Sequence, residues 1–221
     1  MNFGSLLPSS AEKIGQTTSN MAEFFLFKYP SADELFAVAG KIARNSGFSI
    51  TSDRTCDHYD SRTFASHSAG NIHAIDVRAL GEKAKWTIWK KVGEGLQCPW
   101  IAFLLQEKTF WEMLAYRGTQ EIDMFSPLPE AWDEGESFES ARRGNPQAVA
   151  ELWDVEVSRI ENYMVSWVGI GQRPDIADRR TFAYPTDRHP YGQMWQVLDF
   201  MHALRAPDIM APERRVHCIR P

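Results

Sequence analysis

The chain of 221 residues is long enough for one large domain, and its 43% hydrophobic and 24% charged content excludes wholesale disorder. Its net charge of −5 and isoelectric point near 5.7 argue against a nucleic-acid binder that depends on neutralising phosphates. Three widely spaced cysteines, Cys56, Cys98 and Cys218, show no disulfide framework, which predicts a reducing, cytoplasmic location.

The N-terminal segment predicts neither export nor membrane insertion. Residues 1–20 are predicted to be a flexible leader, because Leu6 and Leu7 are followed at once by Pro8 rather than by an apolar run. The apolar stretch at 24–27 is too short to span a bilayer. We therefore expect no membrane association.

The first regular elements are predicted to be a strand at 24–28 and a helix at 31–45. Ser31 and Glu34 have the S-x-x-E spacing of a capping box, in which each side chain satisfies a free backbone N–H of the other residue. The middle of the chain favours consecutive strands with short links, which is typical of an antiparallel meander. These predicted strands are 47–51, 72–80, 85–92, 100–105, 109–116 and 121–125.

Local patterns support this interpretation of the middle block. Trp86, Ile88 and Val92 alternate with Thr87, Trp89 and Lys91, as the residues of a half-buried strand would. The segment from Arg117 to Gln120 fits a hairpin loop. The polar stretch at 52–71 is predicted to be a long loop.

After Pro127 and Pro129 the sequence turns helical. Asn145 caps a predicted helix that ends near 153, a second helix is expected at 157–167, and a last one at 190–205. His202 falls on the apolar stripe of that last helix, where we expect it to pack with neighbouring apolar side chains. The predicted fold is α+β: a mostly antiparallel sheet with one N-terminal helix and a C-terminal helical cluster. The predicted organisation is a leader at 1–20, a sheet region at 21–129 and a helical region at 130–221 packed on the same domain.

Residue types suited to metal binding occur between positions 56 and 73. Cys56, Asp57, His58, His67 and His73 have irregular spacing, whereas zinc sites usually repeat a pair of ligands two to four residues apart. Loop histidines that face water are the favoured interpretation, so no metal is predicted.

Other catalytic patterns also fail. Cys98 precedes an apolar strand and is expected to be a small buried hydrophobe, although a nucleophile served by a distant histidine is the alternative. The Gly-x-Gly pairs at 93–95 and 169–171 lack the rest of a phosphate-binding loop and are expected to be turns. The carboxylate pairs Asp57/Asp60 and Asp133/Glu134 lie in polar segments. No catalytic residue and no cofactor is predicted.

Residues 145–167 resemble a helix-turn-helix. Ala150 is the small residue on the first helix, Asp154 stands at the turn, and Val155 and Ile160 match the apolar positions after it. Residues 121–161 contain eleven acids against three bases, and such a surface repels phosphate. A helix pair that does not bind DNA is therefore favoured, with a DNA-binding regulator as an alternative.

A wider set of motifs resembles a sparsely characterised group of bacterial proteins, some of them immunity-protein-like. The resemblance covers roughly residues 85–205 and implies a sheet edge that ends in an Asp-x-Phe-Ser-x-x-Pro turn, followed by a short helical pair. It transfers no catalytic residue. The matching segments are Tyr116–Gly118, Asp123–Pro129, Trp132, Arg143–Ala148 and Glu161–Tyr163.

The sequence therefore favours a non-catalytic protein-binding or immunity-like inhibitor module. Residues 130–139 contain five acids and no base, which suggests an acidic surface for a protein partner, while a solvated loop is the other interpretation. A DNA-binding regulator and an unrecognised enzyme are the alternatives, and the oligomeric state is left open. The predicted partner-binding residues are Glu130, Asp133, Glu134, Glu136 and Glu139.

Overall fold

A computed structural model describes residues 23–51, 63–77, 82–106, 110–132, 135–167, 181–211 and 214–220. These residues form one eight-stranded antiparallel sheet with helices on it, which confirms the predicted α+β class. The strands are β1 (Glu23–Lys28), β2 (Ser49–Thr51), β3 (Thr63–Ala69), β4 (Ile72–Asp76), β5 (Pro99–Gln106), β6 (Phe110–Arg117), β7 (Gln120–Phe125) and β8 (Arg215–Arg220). The α-helices are α1 (Ala32–Asn45), α2 (Glu82–Leu96), α3 (Glu136–Ala141), α4 (Pro146–Trp153) and α5 (Gln196–Ala203). The predicted leader at 1–20 lies outside the described residues.

The strand order is β2-β8-β3-β4-β1-β5-β6-β7. The predicted meander is present in β5, β6 and β7, which are joined in sequence and paired side by side. It is not continuous elsewhere, because β1 inserts between β4 and β5 and β8 inserts between β2 and β3. The first and the last described strands of the chain therefore both lie inside the sheet, whose edges are β2 and β7.

Strand β1 lies in the middle of the sheet and is buried on both faces. Phe24 and Leu26 pack into one hydrophobic cluster, whereas Phe25 and Phe27 pack into a second cluster on the opposite face. All four side chains are fully buried. Alternation of side chains along a strand explains this, since successive residues point to opposite faces.

Helices α1 and α2 cover one face, which we call the N-terminal face. Helix α1 begins after Ser31, whose Oγ accepts a hydrogen bond from the Glu34 N–H at 3.2 Å, as the capping-box spacing predicts. Its buried residues Leu35 and Ala39 share a cluster with Trp89 of α2. This confirms the predicted helix at 31–45.

The opposite face, which we call the C-terminal face, is covered by α4, α5 and short 3-10 turns. Val149 and Trp153 of α4 and Phe200 of α5 pack in one cluster with Phe24 and Phe103 of the sheet. The Trp153 Nε1–H donates a hydrogen bond to the Leu204 carbonyl oxygen at 2.8 Å, which joins the end of α4 to the end of α5.

The strand predicted at 85–92 is wrong, because these residues belong to helix α2. Ile88, Trp89 and Val92 are buried, and Val92 follows the other two by four and three residues, which is the spacing of one face of a helix. The strand-like alternation seen in the sequence is also compatible with this helical period. Gly93 lies within the helix rather than at a turn. A Cβ on Gly93 would overlap the indole of Trp100, so the close approach of α2 to β5 requires glycine there.

The long loop predicted at 52–71 is wrong for its second half, where residues 63–69 form β3. The first half, 52–62, lies outside the described residues. Strand β8 was not predicted, because its partners are far away in sequence: β3 on one side and β2 on the other. Because β8 lies at Arg215–Arg220, the region at 130–221 that was predicted to be helical contributes a strand to the sheet.

The remaining predicted strands at 24–28, 47–51, 72–80, 100–105, 109–116 and 121–125 are confirmed within one to two residues, except that 78–80 lie outside the described residues. Gly118 and Thr119 form the turn between β6 and β7, as the hairpin prediction requires. None of the helices in the described ranges has the length and apolar character that a membrane span requires.

The predicted C-terminal helices are only partly confirmed. Helix α4 has the predicted cap, since Asn145 Oδ1 accepts the Ala148 N–H at 3.2 Å. The helix predicted at 157–167 is wrong, because this segment contains two 3-10 turns, Val157–Arg159 and Glu161–Tyr163. The last helix is shorter than the predicted 190–205 and spans Gln196–Ala203.

The cysteines differ from the sequence prediction in one respect. Cys98 is a free, buried thiol, as expected. Cys218, on β8, is disulfide-bonded, so the prediction that the cysteines form no disulfide is wrong for this residue.

Candidate functional site

The predicted acidic residues are found on the segment that follows β7. Glu130 is exposed on a 3-10 turn, Pro129–Trp132, and Glu136 is exposed at the start of α3. Glu139 is half-buried one turn later. Asp133 and Glu134 lie outside the described residues.

Glu130 and Glu139 line the same open groove, of about 480 Å³, together with one base, Arg143. We call it the acidic groove. The structure therefore brings two of the predicted acids together and places Glu136 on the same short helix as Glu139. The groove is lined by Phe125, Ser126, Pro129, Glu130, Glu139, Arg143 and Ser166.

Backbone hydrogen bonds fix the frame of the acidic groove. The Ser126 N–H donates to the Arg142 carbonyl oxygen at 2.9 Å, and the Trp167 N–H donates to the Pro127 carbonyl oxygen at 2.6 Å. The Asp123 carboxylate accepts the Asn145 N–H at 2.9 Å, which ties the start of α4 to β7. These contacts hold the Asp-x-Phe-Ser-x-x-Pro segment as a rigid wall.

A buried ion pair stands behind this wall. The Arg142 Nε lies 3.2 Å from Glu112 Oε1, and both side chains are 1% exposed. Buried charges remain in a fold only when they are paired and hydrogen-bonded. The pair therefore fixes residue 142, and with it the position of Arg143 at the groove.

A second cleft, of about 490 Å³, lies on the C-terminal face and was not predicted from the sequence. We call it the tyrosine cleft. Three separate segments form it: the 3-10 turns at 157–163, the loop at 184–188, and helix α5 with the residues that follow it. Its lining residues are Arg159, Tyr163, Tyr184, Pro185, Thr186, Asp187, Arg188, Asp199, His202, Ala203 and Asp208.

Asp187 is held at the centre of a hydrogen-bond network in the tyrosine cleft. The Tyr163 hydroxyl donates to Asp187 Oδ1 at 2.6 Å, and the Tyr184 N–H donates to Oδ2 at 2.9 Å. Burial raises the pKa of the Asp187 carboxyl, and the nearby charge of Asp199 raises it further, while the two hydrogen bonds oppose this. Burial, followed by the Asp187 contact, raises the pKa of the Tyr163 hydroxyl.

Asp199 anchors the loop that precedes helix α5. Its carboxylate accepts the backbone N–H groups of Arg188 at 3.0 Å and His189 at 2.8 Å, and it lies 3.0 Å from His189 Nδ1. A carboxylate on helix α5 therefore holds this loop.

The two histidines predicted to face water are buried in the sheet, so that prediction is wrong. His73 is 1% exposed, and its ring nitrogens lie 2.8 Å from Ser68 Oγ and 2.8 Å from the Tyr29 carbonyl oxygen. His67 is 6% exposed, and burial lowers its pKa. Cys56, Asp57 and His58 lie outside the described residues. Among the described residues no group of three potential ligands is arranged for a metal ion.

Ser66 and His217 form a pair that superficially resembles a nucleophile and its base. Ser66 Oγ lies 2.9 Å from His217 Nε2, but the two residues are 4% and 3% exposed. The His217 ring is nearly parallel to the rings of Phe36 and Phe64, and its centroid lies 4.7 Å from each of theirs. A substrate cannot reach this pair, which therefore serves the packing of the N-terminal face.

Cys98 is also unsuited to nucleophilic chemistry. It is 5% exposed, and burial raises the pKa of its thiol to about 11. The reactive form of cysteine is the thiolate, whose formation a buried apolar setting disfavours. This agrees with the prediction of a small buried hydrophobe.

The segment that resembles a helix-turn-helix does not have that geometry. Asp154 ends α4 in the left-handed region, with φ 57° and ψ 55°, as the predicted turn position requires. The residues that would form a recognition helix instead make two 3-10 turns packed against the C-terminal face. His202, predicted to be on an apolar stripe, is exposed at the tyrosine cleft.

Comparisons with protein-family models, with curated proteins and with solved structures return no match to this chain.

Proposed function

We propose that this protein is a non-catalytic protein-binding module, of the immunity-like inhibitor kind that the sequence resemblance implies. Its acidic groove would contact a basic segment of a partner protein. The observation that carries the proposal is the placement of Glu130 and Glu139 in one open groove, with exposed Glu136 on the same helix as Glu139.

The charges of the groove support a basic partner. Two carboxylates and one guanidinium line it, in a chain whose net charge is −5. Complementary charge at the rim of an interface speeds the encounter of two proteins and selects against partners of the same sign. Residues that could perform nucleophilic chemistry elsewhere, such as Cys98 and Ser66, are buried.

Charge reversal at the groove tests the proposal. The triple variant Glu130→Lys, Glu136→Lys, Glu139→Lys is compared with a control, Glu151→Lys, Glu156→Lys, Glu161→Lys, which reverses three exposed acids on another surface. The affinity for the stoichiometric partner purified from the native host is measured. We expect at least a tenfold loss in the groove variant only, since charges at a rim set association rates. Equal affinity in both variants would contradict the proposal.

A second candidate, an enzyme, is favoured by one observation. The tyrosine cleft brings Asp187, Asp199 and His202 together from separate segments, and shifted pKa values often mark catalytic sites. If it is catalytic, His202→Gln should abolish turnover of a substrate found by screening chromogenic esters, phosphate esters and glycosides. A DNA-binding role receives no support from the geometry, because the second helix is absent.

The bacterial origin is also a proposal, and two proposals stand for the location: the reducing cytoplasm that the sequence favours and an oxidising compartment. The bonded state of Cys218 argues for an oxidising compartment, since disulfides persist there and are rare in the cytosol. Alkylation of the cysteines in unreduced protein from the native host distinguishes an oxidising compartment from a reducing cytoplasm. Cys218 should react only after reduction if the bond exists in vivo, and should react directly if the protein resides in a reducing cytoplasm.

A further inference from the structure

In the tyrosine cleft, the Nη groups of Arg159 and the imidazole of His202 have no hydrogen-bond partner among the described residues. The aspartate side chains of the cleft, in contrast, already accept hydrogen bonds. We propose that the cleft binds a small organic oxyanion, a carboxylate or a phosphate group, through the guanidinium of Arg159 and the imidazole of His202. This site is separate from the acidic groove, and its test does not depend on a protein partner.

The acids of the cleft are already engaged within the protein. Asp187 accepts hydrogen bonds from Tyr163 and Tyr184, at 2.6 and 2.9 Å. Asp199 accepts two backbone N–H groups, at 3.0 and 2.8 Å. Asp208 accepts the Met210 N–H at 2.9 Å. Each of these three carboxylates therefore already accepts at least one hydrogen bond from within the protein.

Arg188 is occupied as well. Its Nε lies 3.6 Å from Asp199 Oδ1 and its Nη1 lies 4.0 Å from Asp208 Oδ2.

Arg159 is the cation that remains. Its Nε donates to the Ala203 carbonyl oxygen at 3.2 Å, which anchors the guanidinium at the cleft beside His202. Within the described ranges, no carboxylate lies at ion-pair distance from Arg159. With Nε occupied, the two Nη groups are the donors left, and paired N–H groups of arginine suit the two oxygens of a carboxylate or phosphate.

His202 supplies a second donor at the same place. It follows Asp199 by three residues on α5, so both lie on one side of the helix, and both line the cleft. Its side chain is exposed, and within the described part of the chain it has no hydrogen bond or ion pair. The cleft volume of about 490 Å³ is in the range typical of small-molecule sites.

The test uses the full chain and two probes, inorganic phosphate and succinate, at constant ionic strength in a buffer that has neither group. Binding is followed by nuclear magnetic resonance shifts of the labelled arginine and histidine side chains. We expect saturable shifts at Arg159 and His202 with at least one probe, and the tighter probe identifies the oxyanion. The absence of saturation with both probes would overturn the proposal.

Three variants separate recognition from folding. Arg159→Gln should weaken binding about tenfold or more, because one charge-assisted hydrogen bond contributes free energy of that order. His202→Gln, at an exposed residue whose side chain has no hydrogen bond or ion pair within the described part of the chain, should weaken it severalfold while leaving the fold unchanged. The control Arg44→Gln, at an exposed residue of α1, should bind like the wild type. Equal affinity in all three variants would contradict the assigned site.

Discussion

The two faces of the sheet are closed in different ways. Two long helices of 14 and 15 residues cover the N-terminal face. The C-terminal face is covered by two helices of eight residues each, α4 and α5, and by two 3-10 turns that follow α4. Regular helices seal a face, whereas short elements leave gaps between them. The tyrosine cleft lies in such a gap.

This difference decides where polar side chains can act. On the N-terminal face, Ser66 pairs with His217 and Ser68 pairs with His73, so these four side chains are hydrogen-bonded inside the protein. On the C-terminal side, Arg159 and His202 remain accessible at a cleft. Residue type alone is therefore a poor guide to whether a side chain can bind a ligand. His217 and His73 are buried, whereas His202 is accessible to solvent.

The largest expected effect comes from the buried ion pair behind the acidic groove. Arg142→Met leaves the Glu112 carboxylate buried without this partner and should lower the free energy of unfolding by about 3–5 kcal/mol. Urea denaturation measures it. Asp154→Asn removes the exposed partner of Lys28 and should change stability by less than about 1 kcal/mol. Similar losses of unfolding free energy in both variants would contradict the expectation that removing one partner of the buried ion pair costs more than removing one partner of the exposed pair.

The pH dependence of the free energy of unfolding tests whether His217 is buried from water on the N-terminal face. Burial lowers the pKa of His217 to about 4, against about 6.5 in the unfolded chain. The unfolded state therefore binds the proton first, and stability falls as pH drops from about 6.5 to about 4, by about 3 kcal/mol. His217→Gln should reduce this dependence in urea titrations, and an unchanged dependence would contradict the burial of this imidazole.

The contact between α2 and β5 should be sensitive to one methyl group. Gly93→Ala forces a Cβ against the Trp100 indole and should destabilise the protein by about 1–3 kcal/mol. Gly95→Ala, two residues later in the same helix, meets only Val38 Cγ1 at 3.9 Å and should stabilise it by up to about 1 kcal/mol. Thermal unfolding measures both, and equal signs would refute the packing described for α2.

The smallest effect is expected at the C-terminal face. Tyr184→Phe removes the hydroxyl that donates to the Ser158 carbonyl oxygen at 2.6 Å and should lower stability by about 1 kcal/mol. Amide hydrogen exchange should accelerate at residues 157–163 and remain unchanged in α1. Acceleration spread over both faces would mean that the faces open together.

Much of the fold could be predicted because its signals are local. The alternating burial of Phe24–Phe27 follows from an apolar run, α1 follows from its Ser31 cap, and β6 with β7 follows from the turn at Gly118. The α+β class needed no more than these elements.

The errors arose where a pattern was short or its partner distant. In α2, Trp86, Ile88 and Val92 fit a period of two as well as a helical one, and only tertiary packing against the sheet decides. Strand β3 seemed a polar loop, but its serines, Ser66 and Ser68, have hydrogen-bond partners in β8 and β4.

The candidate sites could be predicted to different degrees. The acidic groove was indicated by a run of charges, because Glu130 and Glu139 are close in sequence. The tyrosine cleft was not, since Arg159, Asp187 and His202 come from three segments that only the packing of the C-terminal face brings together. The hydrogen bond that positions Arg159 is accepted by the backbone carbonyl of Ala203. Because every residue has a backbone carbonyl, the sequence does not indicate this contact.

Hydroxyl-radical footprinting of the complex with the native partner tests the central claim most directly. If the acidic groove is the contact surface, side chains of residues 125–143 lose reactivity on binding, while exposed side chains of α1 keep theirs. Protection confined to the N-terminal face, or equal on both faces, would contradict a partner-binding role for the acidic groove.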